Sequence, residues 1–165
     1  MDIETSGKNV TLRPMTQKEH RAFWRKYTPE PDSGQAYVYD EEKADKLFET
    51  LCENGDRCPT AGIFNKNGEI IGMIQLPNLV NSERRCDIYA VLANESYRGK
   101  GFGTEAVKLA VKYARYEMRI SKIYAEISAD NSRMKRVLEK NGFLNSRVVA
   151  GGCGDKDKLL YVLRF

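Results

Sequence analysis

At 165 residues and 18.8 kDa, with 41% hydrophobic and 30% charged residues, the chain has the length and balance of one globular domain, 1–165, able to bury a core without disulfides or metals. Its net charge of +4 is too small by itself to argue for nucleic acid, and no run of about 18 apolar residues offers a membrane span. Met1 to Arg13 lacks an apolar stretch of signal-peptide length, so a cytoplasmic protein with neither a membrane nor a nucleic-acid partner is expected, as a monomer or homodimer. The single histidine, His20, and four cysteines without a C-x-x-C pair (Cys52, Cys58, Cys86, Cys153) argue against a zinc site and a Ser-His-Asp hydrolase, and for free thiols.

Val10, Leu12 and Pro14 suggest a first strand. Thr16 to Glu19 reads T-x-x-E, a capping box opening a helix through Tyr27, which the loop Thr28 to Gly34 ends. Asp40 caps a second helix, Glu41 to Glu53, whose acidic first turn suits the helix dipole. Strands follow at Ala61 to Phe64 and Ile70 to Leu76, joined through Asn67-Gly68, and at Asp87 to Leu92. Ala106, Leu109, Ala110, Tyr113 and Ala114 make one apolar stripe on a helix from Gly103 to about Met118. Ile123 to Ala129 is a strand, Asn131 to Lys140 a helix stopped at Asn141-Gly142, and Phe143 to Val149 and Leu159 to Phe165 are the last strands. The order is that of a mixed α/β (α+β) fold with parallel crossovers in its second half.

Between the third of these strands and the third helix lies Arg98-Gly99-Lys100-Gly101-Phe102-Gly103-Thr104. A helix N-terminus carries N–H groups without intrahelical acceptors, which makes it an anion site, and alternate glycines let a bulky phosphate approach the backbone. Arg98 and Lys100 add positive charge. The spacing fits neither the Walker loop nor the dinucleotide G-x-G-x-x-G, because it is R-x-x-G-x-G.

That spacing, followed by Thr104-Glu105-Ala106, resembles the [Q/R]-x-x-G-x-[G/A] signature of the GNAT superfamily of N-acetyltransferases. Asn131 and Leu138-Glu139-Lys140-Asn141-Gly142-Phe143 resemble the family's N-x(6)-[YL]-E-K-x-G-F helix, and Asp157 to Leu163 looks like the closing strand of the ribosomal-protein and spermidine acetyltransferase branch. The resemblance implies a central mixed sheet of about six to seven strands flanked by about four helices. It also implies acetyl-coenzyme A as cosubstrate, with no metal, bound by the segment Arg98 to Thr104. The pantetheine arm would lie where two strands part, pairing with backbone near Val91 and Ala93 and touching Asn131 and the Met134 position.

Transfer to an amine needs a neutral nitrogen, and a lysine-type amine with pKa about 10.4 is almost wholly protonated at pH 7. In relatives a glutamate on the strand before the loop takes that proton. Its place here holds Asp87, one methylene shorter and therefore suited to a water relay; the other reading is a solvent-facing partner for Arg84 or Arg85. Glu126 on the next strand is a second candidate, whose direction parity alone leaves open. Where relatives place a serine or a tyrosine to protonate the leaving thiolate, this chain has Met134 and Leu138, which leaves Ser132, Tyr161 and Tyr124 or no dedicated acid. Asn131 caps its helix and is carried over as a catalytic-site residue. Cys153 reads as a loop residue near the acceptor side.

Pro29 to Asp56 holds nine acidic residues against two lysines, a segment of −7, with Trp24, Tyr27, Tyr37 and Tyr39 around it. Acid with aromatic rings suits a cationic acceptor, a small amine or a protein N-terminus, though a solvated helix face reads equally well. A noncatalytic coenzyme A-binding module is the alternative.

Overall fold

The structure, a computed structural model, describes residues 2–152 and 155–165, the side chain of Asp32 excepted. Cys153 lies outside the described residues. In chain order the elements are β1 (Thr5–Ser6), β2 (Val10–Arg13), α1 (Gln17–Lys26), α2 (Glu41–Glu53), β3 (Thr60–Asn65), β4 (Ile70–Gln75), β5 (Arg85–Asp87), β6 (Tyr89–Leu92), α3 (Phe102–Tyr116), β7 (Lys122–Ser128), α4 (Ser132–Lys140), β8 (Leu144–Val149) and β9 (Lys158–Arg164). No helix among the described residues is long and apolar enough to cross a membrane.

Local chemistry sets the helix starts as expected. The Thr16 hydroxyl accepts from the Glu19 N–H at 3.2 Å, and the Glu19 carboxylate accepts from the Thr16 N–H at 2.9 Å, closing the capping box. Arg13 at the end of β2 forks onto the same carboxylate at 2.8 and 3.1 Å, and this hydrogen bond above all holds the Glu19 carboxyl below its ordinary range. Asp40 caps α2 through the Lys43 N–H.

The strands form a five-stranded antiparallel sheet, β1-β2-β3-β4-β6, and a four-stranded sheet, β5-β7-β9-β8, in which only β5 and β7 run parallel. The expected single strand Asp87 to Leu92 is therefore two short strands in different sheets, and the central sheet of about six to seven strands is divided. Ile88 is the junction: its N–H donates to Tyr124 O at 2.8 Å in the second sheet, and from Tyr89 onward the chain pairs with β4 in the first. A propensity reading sees one run of β-formers there, because a change of partner leaves no mark on the side chains.

Helix α3 buries Ala106, Val107, Leu109, Ala110, Tyr113 and Ala114 against a core that includes Val10, Leu12, Ile63, Ile71, Cys86, Ile88 and Ile123. On the other face of the five-stranded sheet, α1 inserts Phe23 against Phe64, Ile70, Met73 and Ala93. Complete burial of a phenylalanine ring contributes about 1.5–3 kcal/mol, enough to seat a ten-residue helix whose exposed face is polar.

His20 on α1 is 1% exposed and touches the Phe48 ring of α2; burial pushes its pKa down, opposed by Asp45. Its Nε2 accepts from Trp24 Nε1 at 3.1 Å, which places the proton of the neutral ring on Nδ1. A group with a depressed folded pKa binds its proton less well folded than unfolded, so stability is full above the unfolded value of about 6.5 and declines as pH falls below it. Between pH 7.5 and 5.5 the melting temperature should therefore drop more steeply in the wild type than in His20→Gln, whose carbonyl still accepts from Trp24. Equal slopes in differential scanning calorimetry would exclude His20 as the cause.

Candidate active site

Because β5 and β7 are paired only as far as Ile88, β6 and the second half of β7 diverge and enclose a wedge. Backbone polarity in the wedge follows from two anchors. Ile88 N–H points to β7, whereas Ala93 N–H donates to Ile71 O at 2.8 Å on β4, and Ala93 O accepts from Thr28 N–H at 2.8 Å. Alternation along an antiparallel strand turns the groups of Tyr89 and Val91 to β4 and those of Ala90 and Leu92 to the gap. The backbone that faces the wedge thus belongs to Ala90 and Leu92, next to the Val91 and Ala93 expected to pair with an added strand.

At the far end of β6 the segment Arg98 to Thr104 leads into α3. Gly99 (φ 72°) and Gly101 (φ 88°) occupy the left-handed region, and a Cβ on either would meet nothing within 4 Å, so both the bend and the free space beside it depend on glycine. Gly101 is the N-cap, and no side chain caps the helix. The N–H groups of Phe102, Gly103 and Thr104 therefore lack an intrahelical acceptor. Lys100 is exposed and, among the described residues, has no carboxylate at ion-pairing distance. Free N–H groups, an open approach and an unpaired ammonium fit the phosphates of a coenzyme A thioester.

Arg98 has a different occupation from the one its charge suggests. Its side chain is 4% exposed and donates to Thr28 O (2.6 Å), Leu92 O (3.1 Å) and Pro29 O (3.5 Å), with Glu30 and Glu95 each at 3.2 Å. It fastens the loop after α1 to the end of β6 instead of presenting charge at the turn. Glu105 of the motif is likewise structural: both carboxylate oxygens accept from the Asn9 N–H at 3.0 Å, tying α3 to the turn that precedes β2.

Cys86, Ile88, Ala90 and Leu92 pack on the α3 side, so Asp87, Tyr89 and Val91 face the α1 side. The half-buried Asp87 stands in register with Tyr124, and its Oδ2 accepts from Asn78 Nδ2 at 2.7 Å. The guanidinium of Arg85 goes instead to Glu83. Glu126 lies two residues beyond Tyr124 on the same face, which answers the parity question, and it is paired with Lys158 at 3.2 Å. Tyr89, half exposed and within electrostatic reach of Tyr27, completes this side. Spacing of two from Asp87 was the available signal for Tyr89; nothing in the sequence linked Asn78 to Asp87.

Trp24, Tyr27 and Tyr37 form one cluster, with ring centroids 5.1, 5.8 and 5.1 Å apart and Tyr37 Oη donating to Trp24 O at 3.0 Å. Burial pushes the Tyr27 and Tyr37 phenols up. Four of the nine acids in the segment are met by the chain's own cations: Asp45 by Arg21 (2.7 Å), Glu41 by Arg25 (3.0 Å), Glu42 by Lys46 (3.8 Å) and Glu30 by Arg98 and Arg133.

On α4, Asn131 caps the helix through Met134 N–H at 3.1 Å, Met134 packs against the core and Leu138 is fully buried. Of the conceivable thiolate donors, Tyr161 is buried on the α3 side with its hydroxyl on Glu139 (3.2 Å), and burial, reinforced by Glu139, pushes that phenol up. Ser132 is exposed, and Tyr124 is half-buried beside Asp87.

A model of the acetyltransferase (GNAT) domain matches residues 9–144. Bacillus subtilis YjcK, a probable N-acetyltransferase, is 26% identical over 148 residues, covering 83% of this chain and 81% of its own. The spermidine N(1)-acetyltransferase of Escherichia coli is 25% identical over 144 residues, covering 84% and 74%. The solved structure of RimL, a ribosomal alpha-N-protein acetyltransferase, superposes with a TM-score of 0.85 at 16% identity over 99% of this chain and 94% of that one, a likeness of fold. The divided sheet, the uncapped helix start after R-x-x-G-x-G and the match through most of the sequence together establish that this chain is an enzyme belonging to the GNAT family of acetyltransferases.

Proposed function

We propose that the chain moves an acetyl group from acetyl-coenzyme A directly to a primary amine, either a small cationic amine or a protein N-terminus. The carrying observation is the parting of β6 from β7 at Ile88, with the free N–H groups of α3 at its far end. The cosubstrate, when bound, supplies an activated thioester. The N–H groups of Phe102 to Thr104 and the Lys100 ammonium hold its phosphates, and the Ala90 backbone and the Leu92 N–H facing the wedge orient its arm, the Leu92 carbonyl being bonded to Arg98. Asn131 and Met134, at the start of α4, are the residues that would touch that arm from the other side.

Asp87, one methylene shorter than a glutamate and already accepting from Asn78, takes the proton of the incoming ammonium through a water. With hydrocarbon at Leu138 and a thioether at Met134, no side chain in those places can protonate the leaving sulfur. A thiol pKa of about 8.5 lets the thiolate depart with backbone hydrogen bonding alone. For the acceptor, Trp24, Tyr27, Tyr37 and Tyr89 offer ring faces to a cation. Since four acids of the segment, Glu30, Glu41, Glu42 and Asp45, are held in ion pairs within the chain, recognition rests on these rings and on Asp87 more than on the −7 total. Similarity to a spermidine acetyltransferase and to an alpha-N-protein acetyltransferase supports both acceptor classes.

The test is thiol release from acetyl-coenzyme A with polyamines, amino sugars and short peptides in turn, beside calorimetry of acetyl-coenzyme A alone. Lys100→Glu should weaken acetyl-coenzyme A at least about tenfold, since it replaces attraction to phosphate by repulsion. No uptake by the wild type would end the proposal.

A further inference from the structure

At the open end of the wedge four charged side chains form a closed ring. Arg133, in the first turn of α4, forks onto Glu95 at 2.8 and 2.9 Å and reaches Glu30 at 3.4 Å; Arg98 meets Glu95 and Glu30 at 3.2 Å each. Glu95 and Arg98 lie on the segment leaving β6, whereas Arg133 lies on the helix entered from β7. The Arg133–Glu95 fork therefore crosses between the two strands where their backbone ladder has been lost. A ligand lying along the wedge and reaching the turn at residues 99–104 comes up against it.

The two arginines differ. Arg98 is 4% exposed and keeps three main-chain acceptors whatever happens to Glu95. Arg133 is 42% exposed and Glu95 49%, so their pairing is half in water and weakly held, although the guanidinium pulls the Glu95 carboxyl below its ordinary range. A phosphate offers a guanidinium the same two-oxygen edge as a carboxylate and carries more charge.

We infer that Arg133 is a phosphate ligand held in reserve: it is docked on Glu95 in the free protein and passes from Glu95 to a phosphate of the acetyl-coenzyme A that the proposed function places here. Glu95 is not orphaned by the exchange, because Arg98 remains beside it. Glu95 thus competes for Arg133 and sets the affinity for the cosubstrate, although it never touches it.

Calorimetric titration with acetyl-coenzyme A distinguishes this from simple charge repulsion. Arg133→Gln should weaken binding about tenfold, and Glu95→Gln should tighten it about threefold. In the Glu95→Gln/Arg133→Gln double variant the gain should vanish, because the competitor matters only through the arginine. A double variant that binds about threefold more tightly than Arg133→Gln would overturn the exchange and leave repulsion by Glu95 as the cause; so would an Arg133→Gln affinity equal to the wild type's. Should Arg133→Gln melt too low to titrate, Arg133→Lys, which keeps the charge but not the fork, serves in the same cycle with a smaller loss. If the wild type takes up no acetyl-coenzyme A, it is the proposed function that fails, whereas uptake with the wrong double-variant result sinks the exchange alone.

Discussion

Asp87→Asn is expected to lower kcat/KM for a small alkyl amine about 100-fold at pH 7 and by progressively less as the pH approaches that amine's own ionisation at about 10, or at about 8 where the acceptor is a protein N-terminus. The amide is isosteric, and its oxygen can still accept from Asn78 Nδ2, so the 2.7 Å contact survives and the fold is undisturbed. What disappears is a group able to take a proton at neutral pH. A general base in this position matters only while the amine arrives protonated, so the defect narrows where solvent already supplies the free base. Measurement of kcat/KM from pH 6 to 10 checks it: parallel profiles for the variant and the wild type would remove Asp87 from the proton path and direct attention to Glu126, on the same face and already paired with Lys158.

Arg98→Met should lower the melting temperature by on the order of 10 °C. The guanidinium is surrounded by three carbonyl oxygens and two carboxylates in a nearly water-free setting. Removing it leaves the carbonyls of Thr28, Leu92 and Pro29 without that donor, at about 1–3 kcal/mol for each one left unsatisfied, while the half-exposed Glu30 and Glu95 keep Arg133. For a chain of this length each kcal/mol moves the midpoint by about 2–4 °C. Methionine fills similar volume, so lost packing contributes little. Scanning calorimetry decides the matter; a midpoint within 2 °C of wild type would show that the inward bonds of Arg98 add nothing to stability, and Arg98 would again be read as a phosphate contact.

Helix positions and most strands were legible because their causes are local. A capping box at Thr16, a cap at Asp40, an apolar stripe from Ala106 to Ala114 and a glycine pattern before a helix act within a few residues of themselves. The glycines before α3 carried as much, since the left-handed angles of Gly99 and Gly101 require them, although only Gly101 of the two belongs to the R-x-x-G-x-G spacing.

The identity of partners across the fold was settled only by tertiary structure. From the letters alone, Arg98 and Lys100 are two equivalent positive charges beside a phosphate turn; in the folded chain one is enclosed by carbonyls from two other segments and the other is in solvent. The nine acids between Pro29 and Asp56 add to a strong local charge in sequence, yet arginines from α1 and α4 pair with three of them, Asp45, Glu41 and Glu30, in space. The break at Ile88 is of the same kind, for whether a backbone N–H faces β4 or β7 depends on which strands flank it and not on its own side chain. Sequence by itself thus determined most of the elements and the glycine turn before α3, through short-range backbone and capping preferences. Long-range hydrogen bonds and ion pairs, which join residues up to about 100 positions apart such as Glu30 and Arg133, decided where the wedge opens and which charges reach it.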